Sequence, residues 1–194
     1  TIEPETAFFR LHEAGQLVTP HEDHAAAMYE ITQELTLAAG LPAYEVSNHA
    51  RPGHECRHNM LYWTYGEYAG VGPGAHSRLI ADDGSRLALS TAKHPETWLQ
   101  SVSSRSHGMV ESNVVAGQDA THEYLLMGMR TTQGVDLAQL QRMSGKPINR
   151  PQLDHLISDG LVCLSDDETA IVATRSGRQV LNSVIEHIAF KTLH

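Results

Sequence analysis

Between Tyr44 and Ser77 the chain gathers residues that can ligate, stack and pair. They are His49, His54, Cys56, His58 and His76, with Tyr44, Tyr62, Trp63, Tyr65 and Tyr68, and with Arg51, Arg57 and, just beyond, Arg78. An imidazole nitrogen can serve as axial ligand to haem iron. Flat aromatic faces can pack on a porphyrin, and guanidinium groups can pair with its propionates. Glycines such as Gly72 and Gly74 let a backbone come close to a ligand. His54, Cys56 and His58 alternate, so on an extended strand they share a face and could hold zinc, although a firm fourth ligand is lacking. The plain alternative is structural: Tyr and Trp filling a core, and a tight strand-to-loop connection that needs glycine for its φ angles.

The elements that must position this segment alternate between helix and strand signals. Pro4 and Glu5 open a short helix through Phe8, Phe9 and Leu11, closed by Gly15. Thr19-Pro20-His21-Glu22 reads as a capping box with proline at the first helical position. Met28, Ile31, Leu35 and Ala38 follow at helical spacing, which makes the first three core residues, and Gly40-Leu41-Pro42 stops the helix. Glu22 and Asp23 supply negative charge at its start. Ala43 to Ser47 and Tyr68 to Gly72 read as short strands. Asp83-Gly84 joins 77–80 to 86–89 in a hairpin, and Pro95 to Val102 reads as a helix.

The chain from Ser101 to Asn113 is polar and serine-rich without periodicity, which places a domain linker at 104–117 between domains 1–103 and 118–194. Helical stretches at 120–130, 137–143 and 149–158 precede strands at 161–164 and 170–173 and a last helix carrying Val180, Val184, Ile185 and Ile188. That order is winged-helix-like. The overall fold class is α/β followed by a small α+β domain.

Composition narrows the function classes. A net charge of −9 opposes broad binding to nucleic acid or anionic membrane. Residues 119–194 hold seven basic and nine acidic side chains, and the tip between the last two strands is Asp166-Asp167-Glu168, a surface that repels phosphate. No apolar run reaches about 18 residues, so no transmembrane segment is expected. Two distant cysteines, Cys56 and Cys163, form no disulfide framework and suit a reducing cytoplasm, with Cys163 expected to be inert in an apolar strand. The chain begins Thr1-Ile2-Glu3-Pro4 without a starting methionine, so it is expected to begin inside a longer protein.

Tyr44-Glu45-Val46-Ser47-Asn48, Pro52-Gly53, Glu55-Cys56-Arg57-His58-Asn59, Tyr62-Trp63 and Gly70-Val71-Gly72-Pro73-Gly74-Ala75-His76-Ser77 together resemble the HemW family. These are radical S-adenosylmethionine (SAM) relatives of oxygen-independent coproporphyrinogen III oxidase. Glu123, Leu126-Met127-Gly128-Met129-Arg130, Gly134-Val135, Gly160-Leu161 and Ser176-Gly177-Arg178 continue the resemblance, which covers essentially the whole chain.

The resemblance implies the C-terminal part of a partial (β/α) radical-SAM barrel followed by the C-terminal domain. It implies haem contact by His58, Asn59, Tyr62 and Trp63, with His58 on the iron, and a SAM-facing loop at Gly72, Gly74, Ala75 and His76. It further implies haem-acceptor proteins as partners, and SAM and a 4Fe–4S cluster in the full-length protein. The family's Cys-x-x-x-Cys-x-x-Cys motif is not in this chain, so catalysis by this chain alone is not expected. An open barrel edge would favour self-association. The alternatives are an oxygen-independent coproporphyrinogen III oxidase and a purely structural or interaction module.

Overall fold

The computed structural model describes residues 2–4 and 6–193, and the chain divides into two compact units, 1–42 and 43–194. The first unit is a pair of helices. Helix α1 (Ala7–Glu13) is capped by Thr6, whose hydroxyl accepts from Phe9 N at 3.2 Å. Glu5, expected to help open it, lies outside the described residues. Helix α2 (Glu22–Ala38) begins two residues later than the Thr19-Pro20 signature predicts. His21 stays extended and its Nδ1 accepts from Asp23 N at 3.4 Å, so an imidazole does the work expected of Thr19. The helix ends at Gly40 as expected, with Leu41 N donating to Thr36 O.

The apolar stripe of α2 is not core. Met28, Ile31 and Leu35 are 51%, 54% and 67% exposed, and no described residue of 1–42 is buried. The periodicity identified the helix correctly. A unit of two short helices, however, has no wall against which such a stripe can be buried.

In the second unit the chain first turns on itself. Ala43 to Ser47 and Tyr68 to Gly72 are not strands but single bridges, Ala43 to His49, Glu45 to Thr131 and Tyr68 to Arg78. Tyr44 N donates to Asn48 O, which closes a turn and stops any ladder from extending. Helix α3 (Arg57–Trp63) follows, an element that the spacing of the segment did not announce.

Strands β1 (His76–Ile80) and β2 (Arg86–Thr91) form the hairpin that Asp83-Gly84 signals, with Ser77 opposite Leu89 and Ile80 opposite Arg86. Helix α4 (Pro95–Arg105) then leads to β3 (Met109–Val115), which pairs antiparallel with β2. Much of the 104–117 stretch, read as a linker, is therefore a strand. Its alternation failed to show because its residues 110–114 are exposed, which leaves no apolar face to write a pattern. The sheet order is β1-β2-β3 and all its pairings are antiparallel; among the described residues there is no closed barrel.

The remainder has the winged-helix-like order. Helix α5 (Gly117–Gly128), strand β4 (Val135–Asp136), α6 (Leu137–Ser144) and α7 (Arg150–Ser158) precede β5 (Val162–Leu164) and β6 (Ala170–Ala173). The small sheet runs β4-β6-β5. Asp136 caps α6, accepting from Gln139 N at 2.6 Å, and Asn149 caps α7 ahead of Pro151. The last expected helix is broken into α8 (Arg175–Gln179), α9 (Leu181–His187) and a π-turn (Ile188–Thr192). Cys163 lies in β5 but is exposed, against the expectation of an apolar setting.

The hydrophobic core sits here, built from Leu125, Met129, Val135, Leu140, Leu153, Ile171, Val184 and Ile188 and their neighbours. The two units therefore respond differently to truncation. Leu153→Ala, at a fully buried position, is expected to cost about 3 kcal/mol. Leu35→Ala, two-thirds exposed, is expected to cost under about 0.5 kcal/mol. Urea unfolding of the two variants checks the contrast.

Candidate functional site

The site begins from a buried carboxylate. Glu45 is 0% exposed, and every oxygen has partners. Its Oε1 accepts from Ser47 N at 2.7 Å, the Ser47 hydroxyl at 3.0 Å and Asn48 Nδ2 at 2.7 Å. Its Oε2 accepts from Arg130 Nη2 at 3.0 Å and Nε at 3.3 Å. Burial alone would raise the carboxyl pKa, but these bonds and the Arg130 charge outweigh it and hold it below the ordinary value. The Tyr44–Asn48 turn is thereby fastened to the chain just past α5, and Thr132 N donating to Tyr44 O adds to the joint.

Helix α3 carries the four motif residues as two i,i+4 pairs, offset by one residue, so they lie on two neighbouring stripes. His58 and Tyr62 form the first. Their rings meet edge to face at 4.7 Å and 89°, with Tyr62 Oη 2.8 Å from His58 Nε2. Tyr68 packs against Tyr62 at 4.3 Å and 76°, extending the pair into a row of three rings. His58 is exposed and Tyr62 half-buried.

Asn59 and Trp63 form the second stripe and turn toward the Glu45 joint. Asn59 Nδ2 donates to Tyr44 Oη at 3.2 Å, and the Arg130 guanidinium lies 4.7 Å over the Trp63 ring. The structure thus brings His58 and Tyr62 together and gives Asn59 and Trp63 anchoring contacts.

The zinc alternative fails on geometry. Cys56 caps α3 and His58 is inside it, so His54, Cys56 and His58 do not share an extended strand. Among the described residues no group of three or more His, Cys, Asp or Glu could hold a metal ion.

The loop at 70–77 is held by one internal hydrogen bond and by several to the end of β2. Gly70 N donates to the Ser77 hydroxyl, Gly74 N to Ala92 O and Ala75 N to the Thr91 hydroxyl, which itself donates to Gly72 O. A Cβ on Gly70 would stand 2.2 Å from His76 O, so only glycine fits there; Gly72 and Gly74 have φ of +102° and +68°. The structural reason for the glycines is therefore real. With the amides of Gly74 and Ala75 committed to Ala92 and Thr91 at the end of β2, what the loop offers outward is the exposed His76 and the exposed tip at Val71.

A second charged joint, not foreseen as such, binds the β1-β2-β3 sheet to α5. Glu123 accepts from Arg78 Nε at 2.9 Å and Nη2 at 2.7 Å, with Arg86 Nε 3.8 Å from its other oxygen. Arg78 is thereby committed to Glu123, whereas Arg51 and Arg57 are exposed. Arg86 lies 3.7 Å over the Tyr65 ring and donates to the Tyr65 and Gly66 carbonyls. Tyr65, at φ +60°, packs on Tyr124 of the core. Burial first, and the Glu123 charge second, push its hydroxyl pKa up to about 12. Glu123 and Arg130 both belong to motifs visible in the sequence, but sequence alone does not say that they pair with Arg78 and Glu45.

The HemN C-terminal domain family matches residues 115–180. The chain is similar to the heme chaperone HemW of Escherichia coli, 32% identical over 96% of this chain and 47% of that protein. Against the heme chaperone HemW of Mycobacterium tuberculosis (strain H37Rv) it is 34% identical over 95% of this chain and 44% of that protein. Against the mitochondrial radical S-adenosyl methionine domain-containing protein 1 of Danio rerio the identity is 32%, over 97% and 44%. The chain spans about half the length of these relatives. Its fold is similar to that of the radical SAM enzyme coproporphyrinogen III oxidase (HemN) from Escherichia coli, with a TM-score of 0.62 and 15% identity over 88% of this chain and 42% of that one.

Two pH responses follow from the joints. Glu45 has a depressed pKa, so its contribution is present above the ordinary carboxyl value of 4.5 and lost as pH falls through the folded value. Glu45→Gln is expected to cost about 2 to 3 kcal/mol near neutrality, and urea unfolding should show the gap to wild type closing in acid. Tyr65 has a raised pKa, so its contribution is full below about pH 10 and lost as pH rises toward about 12. Tyr65→Phe is expected to flatten the alkaline limb of the same stability profile.

Proposed function

We propose that this chain, which matches the HemW/HemN family over its C-terminal region, is the haem-contacting part of a HemW-like radical SAM protein that binds haem and passes it to acceptor proteins. The observation that carries the proposal is the His58–Tyr62 pair on the open side of α3. It sets an exposed imidazole beside an aromatic ring, while Asn59 and Trp63 hold the helix from its other stripe. An imidazole donor and an adjacent flat apolar ring are the groups that an iron porphyrin takes, so the residues present fit haem as cargo. Arg51 ahead of α3 and Arg57 at its first position, both exposed, are the cations proposed to meet its propionates.

The same residues do not fit an iron–sulfur cluster. A cluster is held by several thiolates, and this chain has two cysteines, both exposed. Cluster and SAM binding are therefore proposed for a full-length protein, with Gly72, Gly74, Ala75 and His76 facing the SAM pocket. In that pocket His76 would supply a side chain and the glycines a close-lying backbone. No described helix is long and apolar enough to cross a membrane, and we place the protein in the cytoplasm with haem-acceptor proteins as its partners.

An oxygen-independent coproporphyrinogen III oxidase is the rival reading, supported at the level of fold. The ordering rests on sequence identity with the proteins named heme chaperones, about twice that with the oxidase.

Haem titration of the chain, followed by its Soret band, tests the site. Wild type is expected to give a histidine-ligated spectrum, and His58→Ala to bind at least about tenfold more weakly. Equal binding by the two would remove haem from His58.

A further inference from the structure

We infer that the Tyr62 hydroxyl is a gate on His58: it covers the imidazole nitrogen that iron would take, and haem enters by displacing it. The inference rests on the haem reading of His58 and assigns a positioning role to Tyr62 within that site. Of the two ring nitrogens, Nδ1 adjoins the carbon that carries the side chain and so lies close to the α3 backbone. A flat macrocycle laid across Nδ1 would collide with the helix. Nε2 lies at the free edge of the ring and is the nitrogen a porphyrin can reach. In this structure that nitrogen is 2.8 Å from Tyr62 Oη.

The cover is held in place rather than incidental. The i,i+4 spacing sets Tyr62 one turn beyond His58. Tyr68 supports the Tyr62 ring from outside the helix, at 4.3 Å and 76°. Tyr68 is itself fixed through both backbone bonds it exchanges with Arg78, at 2.8 and 2.9 Å. Opening the gate exchanges one bond for another: the Tyr62–His58 hydrogen bond breaks, a coordinate bond forms from Nε2 to iron, and the hydroxyl turns to water. No oxidation or reduction is involved. A ligand nitrogen that must first be uncovered binds its cargo more weakly than a bare one, and the same hydroxyl stands ready to retake it on release.

Tyr62→Phe keeps the ring and both edge contacts while removing the hydroxyl. In Soret titrations of the full chain it is expected to bind haem about fivefold more tightly than wild type, the loss of one neutral hydrogen bond from the closed state. The double variant with His58→Ala should bind as weakly as His58→Ala alone. Binding by Tyr62→Phe that is unchanged or weaker, with His58→Ala still impaired, would overturn the gate and leave His58 as the haem residue. Wild-type binding by His58→Ala would instead overturn the haem reading itself, and the gate with it.

Discussion

A carboxylate with no access to water organises this molecule's candidate site. Burying Glu45 without partners would cost several kcal/mol, so the chain around it must supply donors, and Ser47, Asn48 and Arg130 do. Meeting that requirement fixes the Tyr44–Asn48 turn against residues more than eighty positions later. It also fixes Arg130, whose outer face becomes the platform for Trp63. The orientation of α3, and with it the direction in which His58 points, follows from satisfying one buried charge.

Helix α5 and its exit bear both charged joints. Glu123 receives Arg78 and stands near Arg86 from the β1-β2-β3 sheet, and Arg130, just past the end of the same helix, receives Glu45. One helix and the turn that follows it therefore locate the sheet and the motif segment in a common frame. Tyr65 continues the arrangement into the core: it directly follows the α3 cap, lies under Arg86 and packs on Tyr124. A left-handed backbone at a bulky residue is costly, and here it is set where Tyr65 must leave the helix and enter the core.

Much of this was legible in the sequence where local chemistry decides the outcome. Asp83-Gly84 located its hairpin, Gly40 its helix end, and after 117 periodicity located three helices and two strands but neither the two-residue β4 nor the breaks in the last helix. The α2 stripe showed a helix but not its burial, because burial depends on what lies opposite. Strand β3 was hidden since residues 110–114 all face water and leave no alternation. The His-Asn-x-x-Tyr-Trp motif was visible as a motif, yet its division of labour was not. Read as a loop, its spacing says nothing; read as a helix, the same spacing pairs His58 with Tyr62 and Asn59 with Trp63. The Glu45–Arg130 and Arg78–Glu123 pairs were out of reach because nothing local marks which distant charge each residue will meet.

The placement of the two tryptophans has an optical consequence. Trp63 lies beneath a guanidinium at the Glu45 joint, and Trp98 of α4 lies against Gly108 at the entry to β3. Each indole lies beside a distinct element, and the sequence holds only these two tryptophans. Replacing either by phenylalanine leaves a single indole, which excitation beyond the tyrosine band addresses alone. The chain thus contains separate fluorescent reporters for the α3 anchor and for the sheet, and local opening of one can be timed against the other without an added label.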